Sequence, residues 1–173
     1  IVASLYLIFG VHEFLGRLVS ILFFAGTAFF IFRIASRNIN YPTARASVFV
    51  FSFTPLSIIF TRAFQPDTTA LFFSLACIFY FTEWIKGNEK AYIMACIFGA
   101  ISFFTKQTLM FILFPLCLYT LRHQRLLIFK NTKFFLFLCF TILPSVLWSF
   151  HARSLSQLFP SPGIAGNFEW SNW

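Results

Sequence analysis

The feature that most constrains this chain is a series of long, apolar, uncharged stretches separated by charged residues. Hydrophobic residues make up 59% of the chain and charged residues only 10%, whereas a soluble domain carries about 25% charged residues. The chain cannot solvate the surface that it would expose in water, which excludes a soluble globular enzyme, a disordered segment and a disulfide-stapled secreted module. The composition therefore predicts an all-α, polytopic transmembrane helical bundle.

The uncharged stretches predict six membrane spans. A helix of about fifteen residues covers roughly 23 Å, so flanking Arg and Lys side chains must reach the interface to complete a hydrocarbon core of ~30 Å. The predicted spans are Leu18–Phe32, Ala46–Thr61, Thr68–Thr82, Ala91–Thr105, Gln107–Leu121 and Phe134–Phe150.

The two predicted spans between Ala91 and Leu121 are separated by a single charge, Lys106. One straight helix over this whole stretch would be roughly 46 Å long, which exceeds the thickness of the bilayer. We therefore predict a helical hairpin that turns at Thr105, Lys106 and Gln107.

The distribution of basic residues favours the hairpin and orients the bundle. With the hairpin, nine basic residues fall in loops on one side and four on the other. The positive-inside rule places the nine in the cytoplasm, so the net charge of +8 is a topology signal and does not indicate a nucleic-acid partner. The cytoplasmic set is Arg33, Arg37, Arg45, Lys86, Lys90, Arg122, Arg125, Lys130 and Lys133, and the opposite set is Arg17, Arg62, Lys106 and Arg153.

We expect the chain to be a fragment of a longer protein, because it begins with Ile1 and stops just after a loop begins. Residues 1–153 are predicted to form a transmembrane helical region, and residues 154–173 the start of an extracytoplasmic loop rich in Pro, Gly and Trp. We expect a multi-pass protein of a bacterial or archaeal cytoplasmic membrane rather than of the endoplasmic reticulum.

Asp67 is the most informative polar residue of the sequence. It follows Pro66 and lies between two apolar spans, shortly after Arg62. Because Pro suits the first turn of a helix, Asp67 is predicted near a helix N-terminus, where the dipole favours negative charge. Two interpretations stay open: a helix-capping residue, or a functional carboxylate held at the membrane surface beside a basic residue.

Two further polar features fall on the same predicted face of the membrane as Asp67. Glu13 and Arg17 are spaced i, i+4, so they can form a helix-stabilising pair, while the planar fork of Arg17 also suits a phosphate. Lys106 interrupts an apolar stretch, which is costly unless the ammonium reaches water or a partner. Lys106 is therefore either an ordinary turn residue or a cation that faces a phosphate-bearing lipid.

Two segments carry a resemblance to a known family. The run Leu7-Ile8-Phe9-Gly10-x-x-Glu13-Phe14-x-x-Arg17-Leu18-x-Ser20 resembles the segment after the first large external loop of GT-C class membrane glycosyltransferases. It is most similar to the protein mannosyltransferase and aminoarabinose transferase superfamily, called family 39-like. The later run Arg62-x-x-x-Pro66-Asp67, and the Lys106 turn before a helix with Pro115, are also similar to that family.

The resemblance implies a GT-C-like fold and transfer of a sugar from a polyprenyl-phosphate donor to a lipid, glycan or protein acceptor on the extracytoplasmic side. The family's principal catalytic Asp would lie upstream of Ile1. Asp67 matches the second acidic position, near the donor phosphate or a bound divalent metal, the one cofactor that the family suggests. The expected donor-phosphate contacts are Arg17, Arg62 and Lys106, with Glu13 in support.

Two other classes of function stay open at this stage, a polytopic transporter and a catalytically silent membrane scaffold that contacts membrane lipids. A transporter predicts charges in the middle of its spans and an internal pseudo-repeat. Nearly all charges here lie at the ends of the predicted spans, and the sequence has no evident repeat. An acidic residue in an external loop upstream of Ile1 would favour the transferase.

The predicted topology can be tested by cysteine labelling. In a background without the native cysteines, single cysteines at Glu13, Asp67 and Lys106 should react with a membrane-impermeant thiol reagent on intact cells, because all three lie on the extracytoplasmic side. A cysteine in the Lys86–Lys90 loop should react only after permeabilisation. Protection at position 106 together with labelling of the Lys86–Lys90 loop would contradict the hairpin.

Overall fold

The structure, a computed structural model, describes residues 2–10, 12–62, 66–124 and 132–158. These residues form helices joined by short turns, with no strand among them, which confirms the prediction of an all-α fold. The helices are α1 (Val2–Phe9), α2 (Glu13–Asn38), α3 (Tyr41–Phe53), α4 (Pro55–Arg62), α5 (Asp67–Ile85), α6 (Glu89–Thr105), α7 (Leu113–Gln124) and α8 (Thr132–Leu158). A 3-10 helix, Gln107–Ile112, precedes α7.

Three helices in the described part are long and apolar enough to cross a membrane. They cover Phe14–Asn38 in α2, Asp67–Ile85 in α5 and Thr132–Ser154 in α8. Each of them contains one of the six predicted spans, and each is longer than the span because flanking polar residues continue the helix.

The other three predicted spans correspond to shorter or interrupted helices. Pro55 lacks the N–H that would continue α3, so the stretch Ala46–Thr61 is divided between α3 and α4. α6 is an unbroken helix of 17 residues, and the stretch Gln107–Leu121 begins with the 3-10 helix before α7. The count of six spans therefore stays a prediction.

The chain reverses at Lys106, where the turn of the hairpin was predicted; that both arms of the hairpin cross the membrane stays a prediction. Lys106 has an extended backbone, with φ −148° and ψ 103°, between α6 and the 3-10 helix. Further along, Leu116 of α7 belongs to the same buried cluster as Ala91 and Ala95, which lie near the start of α6. After the turn the chain thus runs back toward the beginning of α6.

α5 packs against both α2 and α6, and the core lies along its two sides. On one side Phe81 and Trp84 are buried in a cluster with Phe137 of α8. On the other side Phe79 is buried against Phe30 of α2. Large apolar side chains cover much of the outer surface, as expected where a helix faces lipid rather than water; examples are Phe49, Phe53, Phe114, Phe140 and Phe150.

Charged residues from different helices meet at the two ends of the bundle. At one end, which we call the Arg37 end, Arg37 of α2 pairs with Glu83 of α5, and Lys133 of α8 pairs with Glu89 of α6. This end collects residues predicted to be cytoplasmic. The opposite end, which we call the Asp67 end, contains Asp67 of α5 and Lys106 after α6, and its exposure outside the cell stays a prediction.

α8 continues through Ser154, the predicted start of the extracytoplasmic loop, and ends at Leu158. Near the end of α8, the hydroxyl of Ser154 donates to the carbonyl of His151 at 2.7 Å. Residues 159–173 lie outside the described residues. The division between residues 1–153 and 154–173 therefore stays a prediction.

Gly99 allows α6 to approach its neighbours closely, which gives a test of the packing. A Cβ at Gly99 would lie 2.6 Å from Cγ2 of Thr141 and 3.1 Å from Sγ of Cys77. Gly99→Ala should therefore lower the free energy of unfolding by about 1–3 kcal/mol, the usual cost of overpacking. Thermal or denaturant unfolding of the purified protein in nanodiscs measures the change.

The contact with Thr141 supplies a compensating variant. Thr141→Ser removes the methyl group that the added Cβ at position 99 would meet, while a Ser hydroxyl can still donate to the carbonyl of Phe137, as Thr141 does at 2.8 Å. The double variant Gly99→Ala, Thr141→Ser should recover part of the lost stability. If it recovers none, the close approach at Gly99 is not the cause of the loss.

Candidate functional site

Asp67 is the first residue of α5 and directly follows Pro66. Its carboxylate lies at a helix N-terminus, where the partial positive charge of the dipole favours an anion. The carboxylate also accepts a hydrogen bond from Nζ of Lys106, in an ion pair that joins α5 to the turn after α6. The structure thus gives Asp67 a cationic partner in addition to its place at the end of a helix.

Lys106 reaches Asp67 because hydrogen bonds fix the end of α6 beside the start of α5. The backbone N–H of Lys106 donates to the carbonyl of Ser102 at 3.0 Å. The buried hydroxyl of Ser102 in turn donates across the helix interface to the carbonyl of Ala70, at 3.2 Å. The sequence placed Asp67 and Lys106 on one face of the membrane, and the structure brings them into contact.

The ion pair is partly accessible to solvent. The side chain of Asp67 is 27% exposed and that of Lys106 is 44% exposed. An ammonium group has three N–H donors, so Lys106 can contact Asp67 and a further anionic group at the same time.

A pocket of about 340 Å³ adjoins the ion pair. Its charged lining residues are Asp67 and Lys106, and most of the remaining lining is apolar. The lining residues come from α2, α3, α4, α5, the turn after α6 and the 3-10 helix, and they are Phe24, Thr27, Phe51, Ser57, Asp67, Thr68, Leu71, Lys106 and Leu109. This combination suits an amphipathic ligand with an anionic head and an apolar tail.

Thr68 and Thr27 line the same pocket, but their hydroxyl groups differ in hydrogen bonding. The hydroxyl of Thr27 donates to the carbonyl of Phe23 at 2.8 Å. The hydroxyl oxygen of Thr68 is buried and has no hydrogen-bond partner in the part of the chain that the structure describes. A buried hydroxyl without a partner is unfavourable by about 1–3 kcal/mol, so Thr68 is a polar group available beside the ion pair.

The remaining predicted site residues are not brought into this pocket by the described structure. Arg17 lies in α2 with an exposed side chain and is not among the residues that line the pocket. The side chains of Glu13 and Arg62 lie outside the described residues. The proposed pairing of Glu13 with Arg17, and a donor contact from Arg62, therefore stay predictions.

The described residues do not form a built metal site around Asp67. Within residues 2–10, 12–62, 66–124 and 132–158, no group of three or more His, Cys, Asp or Glu side chains could hold a metal ion. The carboxylate of Asp67 is in addition occupied by Lys106. These described residues do not fit a divalent metal.

The sequence did not reveal the partners of Gln107, the residue after Lys106. Its side-chain Nε2 donates to the hydroxyl of Ser149 at 2.5 Å and to the carbonyl of Ser145 at 3.4 Å, both in α8. The i, i+4 spacing of Ser145 and Ser149 after Pro144 was the available signal. Serine pairs are common in membrane helices, however, and the spacing alone does not identify a partner helix.

Comparison with known proteins gives one family match. The model of the family described as dolichyl-phosphate-mannose-protein mannosyltransferase matches residues 1–149, which is most of the chain. No curated protein and no solved structure gives a significant match.

The partial exposure of the ion pair predicts that it contributes little to stability. A double-mutant cycle with Asp67→Asn and Lys106→Gln should give a coupling energy below about 1 kcal/mol, as is usual for exposed pairs. Thermal unfolding in nanodiscs measures it, and the exposed Glu89–Lys133 pair at the Arg37 end is a matched control. A coupling of several kcal/mol would assign the Asp67–Lys106 pair a mainly structural role.

Proposed function

Because the chain belongs to the dolichyl-phosphate-mannose-protein mannosyltransferase family, we propose that it transfers a sugar from a polyprenyl-phosphate donor to an acceptor on the extracytoplasmic face of the membrane. Membership of the family, with three helices that can cross a membrane, makes it an integral membrane glycosyltransferase of the mannosyltransferase type. The donor, the acceptor face and the roles of individual residues are the substance of the proposal.

The observation that carries the proposal is the position of the Asp67–Lys106 ion pair beside a largely apolar pocket. A polyprenyl-phosphate sugar has an anionic head joined to a long apolar chain. Lys106 offers a cation to the head, and the walls that include Phe24, Phe51 and Leu109 offer apolar surface to the first part of the lipid. A site at one end of the bundle also leaves the rest of the lipid in the bilayer.

The chemistry requires stabilisation of negative charge on the leaving group. When the bond between the sugar and the phosphate breaks, negative charge develops on the lipid phosphate. A cation held in place before the reaction stabilises this charge without reorganising. We assign this role to Lys106, with Arg17 and Arg62 as further candidate phosphate contacts.

We assign two roles to Asp67. It positions Lys106, and its negative charge offsets the positive charge of Lys106 when no donor is bound. The carboxylate holds the ammonium at the pocket while leaving N–H donors for a phosphate. A second carboxylate, as general base, must take the proton of the acceptor hydroxyl as the new bond forms. The resemblance to the family implies that this base lies upstream of Ile1 and that the acceptor is a lipid, a glycan or a protein.

The variant Asp67→Asn tests the proposal. Asn is nearly isosteric with Asp, and Asp67 is the first residue of α5 rather than its N-cap, so Asn keeps the shape of the side chain but cannot form a charged pair with Lys106. Transfer from a polyprenyl-phosphate sugar should fall by about tenfold or more, since a misplacement of about 1 Å in the groups that act on a substrate can lower the rate by about 100-fold. The assay uses the full-length protein in membranes and is normalised to the amount of inserted protein.

Glu89→Gln is the matched control for Asp67→Asn. Glu89 also forms an ion pair with a lysine near the first turn of a helix, but at the Arg37 end. Glu89→Gln should retain nearly full transfer. Normal turnover of Asp67→Asn would leave Asp67 as a helix-terminal residue and would contradict the proposed donor site.

A further inference from the structure

The turn that carries Lys106 is attached to α8 on both of its sides. Before the turn, the hydroxyl of Ser145 donates to the carbonyl of Phe103 at 3.2 Å. After the turn, Nε2 of Gln107 donates to the hydroxyl of Ser149 at 2.5 Å. Lys106 lies between these two attachments, so the position of its backbone depends on α8 as well as on α6.

The hydroxyl of Ser149 is held in the orientation that receives Gln107. It donates its own hydrogen to the carbonyl of Ser145 at 2.8 Å, which leaves its oxygen lone pairs to accept from Gln107. The carbonyl of Ser145 also accepts from Nε2 of Gln107 at 3.4 Å. The amide of Gln107 thus donates to two groups of α8, the carbonyl of Ser145 and the hydroxyl of Ser149, from residues one helical turn apart.

We infer that Gln107, through Ser149, is a positioning residue that keeps Lys106 at the Asp67 pocket. A lysine side chain has four rotatable bonds and loses considerable entropy when it is held in one place. The backbone of Lys106 is extended between α6 and the 3-10 helix; its N–H donates to the carbonyl of Ser102 at 3.0 Å, and its carbonyl accepts from the N–H of Leu109 at 3.1 Å. The attachment of the next residue to α8 limits the directions in which the ammonium can point.

The expected effect on donor binding rests on the proposed function, transfer of a sugar from a polyprenyl-phosphate donor. If Lys106 binds the phosphate of the donor, loss of the attachment at Gln107 weakens donor binding although Gln107 itself does not line the pocket. Removing this attachment should act through Lys106, and its effect should be visible at Lys106 itself.

The first measurement is the reactivity of Lys106 and does not depend on enzymatic activity. The full-length protein in nanodiscs is treated with an amine-acetylating reagent, and mass spectrometry gives the rate at Lys106 relative to Lys133. Ser149→Ala and Gln107→Leu should raise this ratio about fivefold, the change expected for loss of one hydrogen bond. Lys133 is a suitable reference because it is also ion-paired but lies at the Arg37 end.

Two variants of serine on α8 control for changes unrelated to Gln107. Ser149→Thr keeps a hydroxyl at the position that accepts from Gln107 and should leave the ratio unchanged. Ser154→Ala removes a hydroxyl that donates to the carbonyl of His151 in its own helix, and it should also leave the ratio unchanged. Ser149→Ala is the milder test if Gln107→Leu reduces the amount of folded protein.

The second measurement is transfer by the same variants. Ser149→Ala and Gln107→Leu should raise the KM for a polyprenyl-phosphate sugar about fivefold and change kcat little.

An unchanged acetylation ratio would overturn the positioning role. A raised ratio with an unchanged donor KM would overturn the role in donor binding and leave the proposed function intact. A wild-type protein that transfers no sugar from this donor would overturn the proposed function, whereas the acetylation ratio would still decide the positioning of Lys106.

Discussion

The apolar interior of the membrane is the constraint on which the rest of this structure depends. A charge in hydrocarbon is costly, so the charged residues lie toward the ends of the helices. Each acidic side chain that the structure describes, Asp67, Glu83 and Glu89, pairs with a basic residue from elsewhere in the chain. These pairs join segments that are far apart in sequence, and they lie at the two ends of the bundle.

Between the ends, the helices are held by close packing and by small polar groups. Gly99 admits Thr141 and Cys77 to within contact of α6, and the hydroxyls of Ser102 and Ser145 bond carbonyls of neighbouring helices. In lipid such contacts matter because the tails of the lipid are as apolar as the side chains, so burial alone gives little preference for one helix partner over another. The residues that select the partners of α6 are therefore small or hydroxylated, and two of them lie close to the Asp67 end.

The sequence was sufficient to predict features that depend on local chemistry. The apolar stretches predicted the α-helical class, and the lone charge of Lys106 predicted the reversal after α6, because a single helix would have been too long. Pro66 and Asp67 predicted the start of α5 within a residue. The contact between Asp67 and Lys106 was not predictable, since the two residues are 39 positions apart and meet because α6 packs against α5. The same reason applies to Gln107 and Ser149, 42 positions apart: their pairing depends on which helices are neighbours.

The location of the candidate site follows from the same constraint that shapes the fold. A lipid-linked sugar has its reactive bond at the boundary between hydrocarbon and water, so the groups that act on it must hold charge at that depth. Helix ends are where this membrane protein can hold charge, and the start of α5 adds the positive end of a helix dipole. The Asp67–Lys106 pair lies at two helix ends beside an apolar pocket, whereas the pairs at the Arg37 end are not among the residues that line that pocket. Charge held at a helix end, with apolar surface next to it, is the combination that an amphipathic ligand such as a lipid-linked sugar requires.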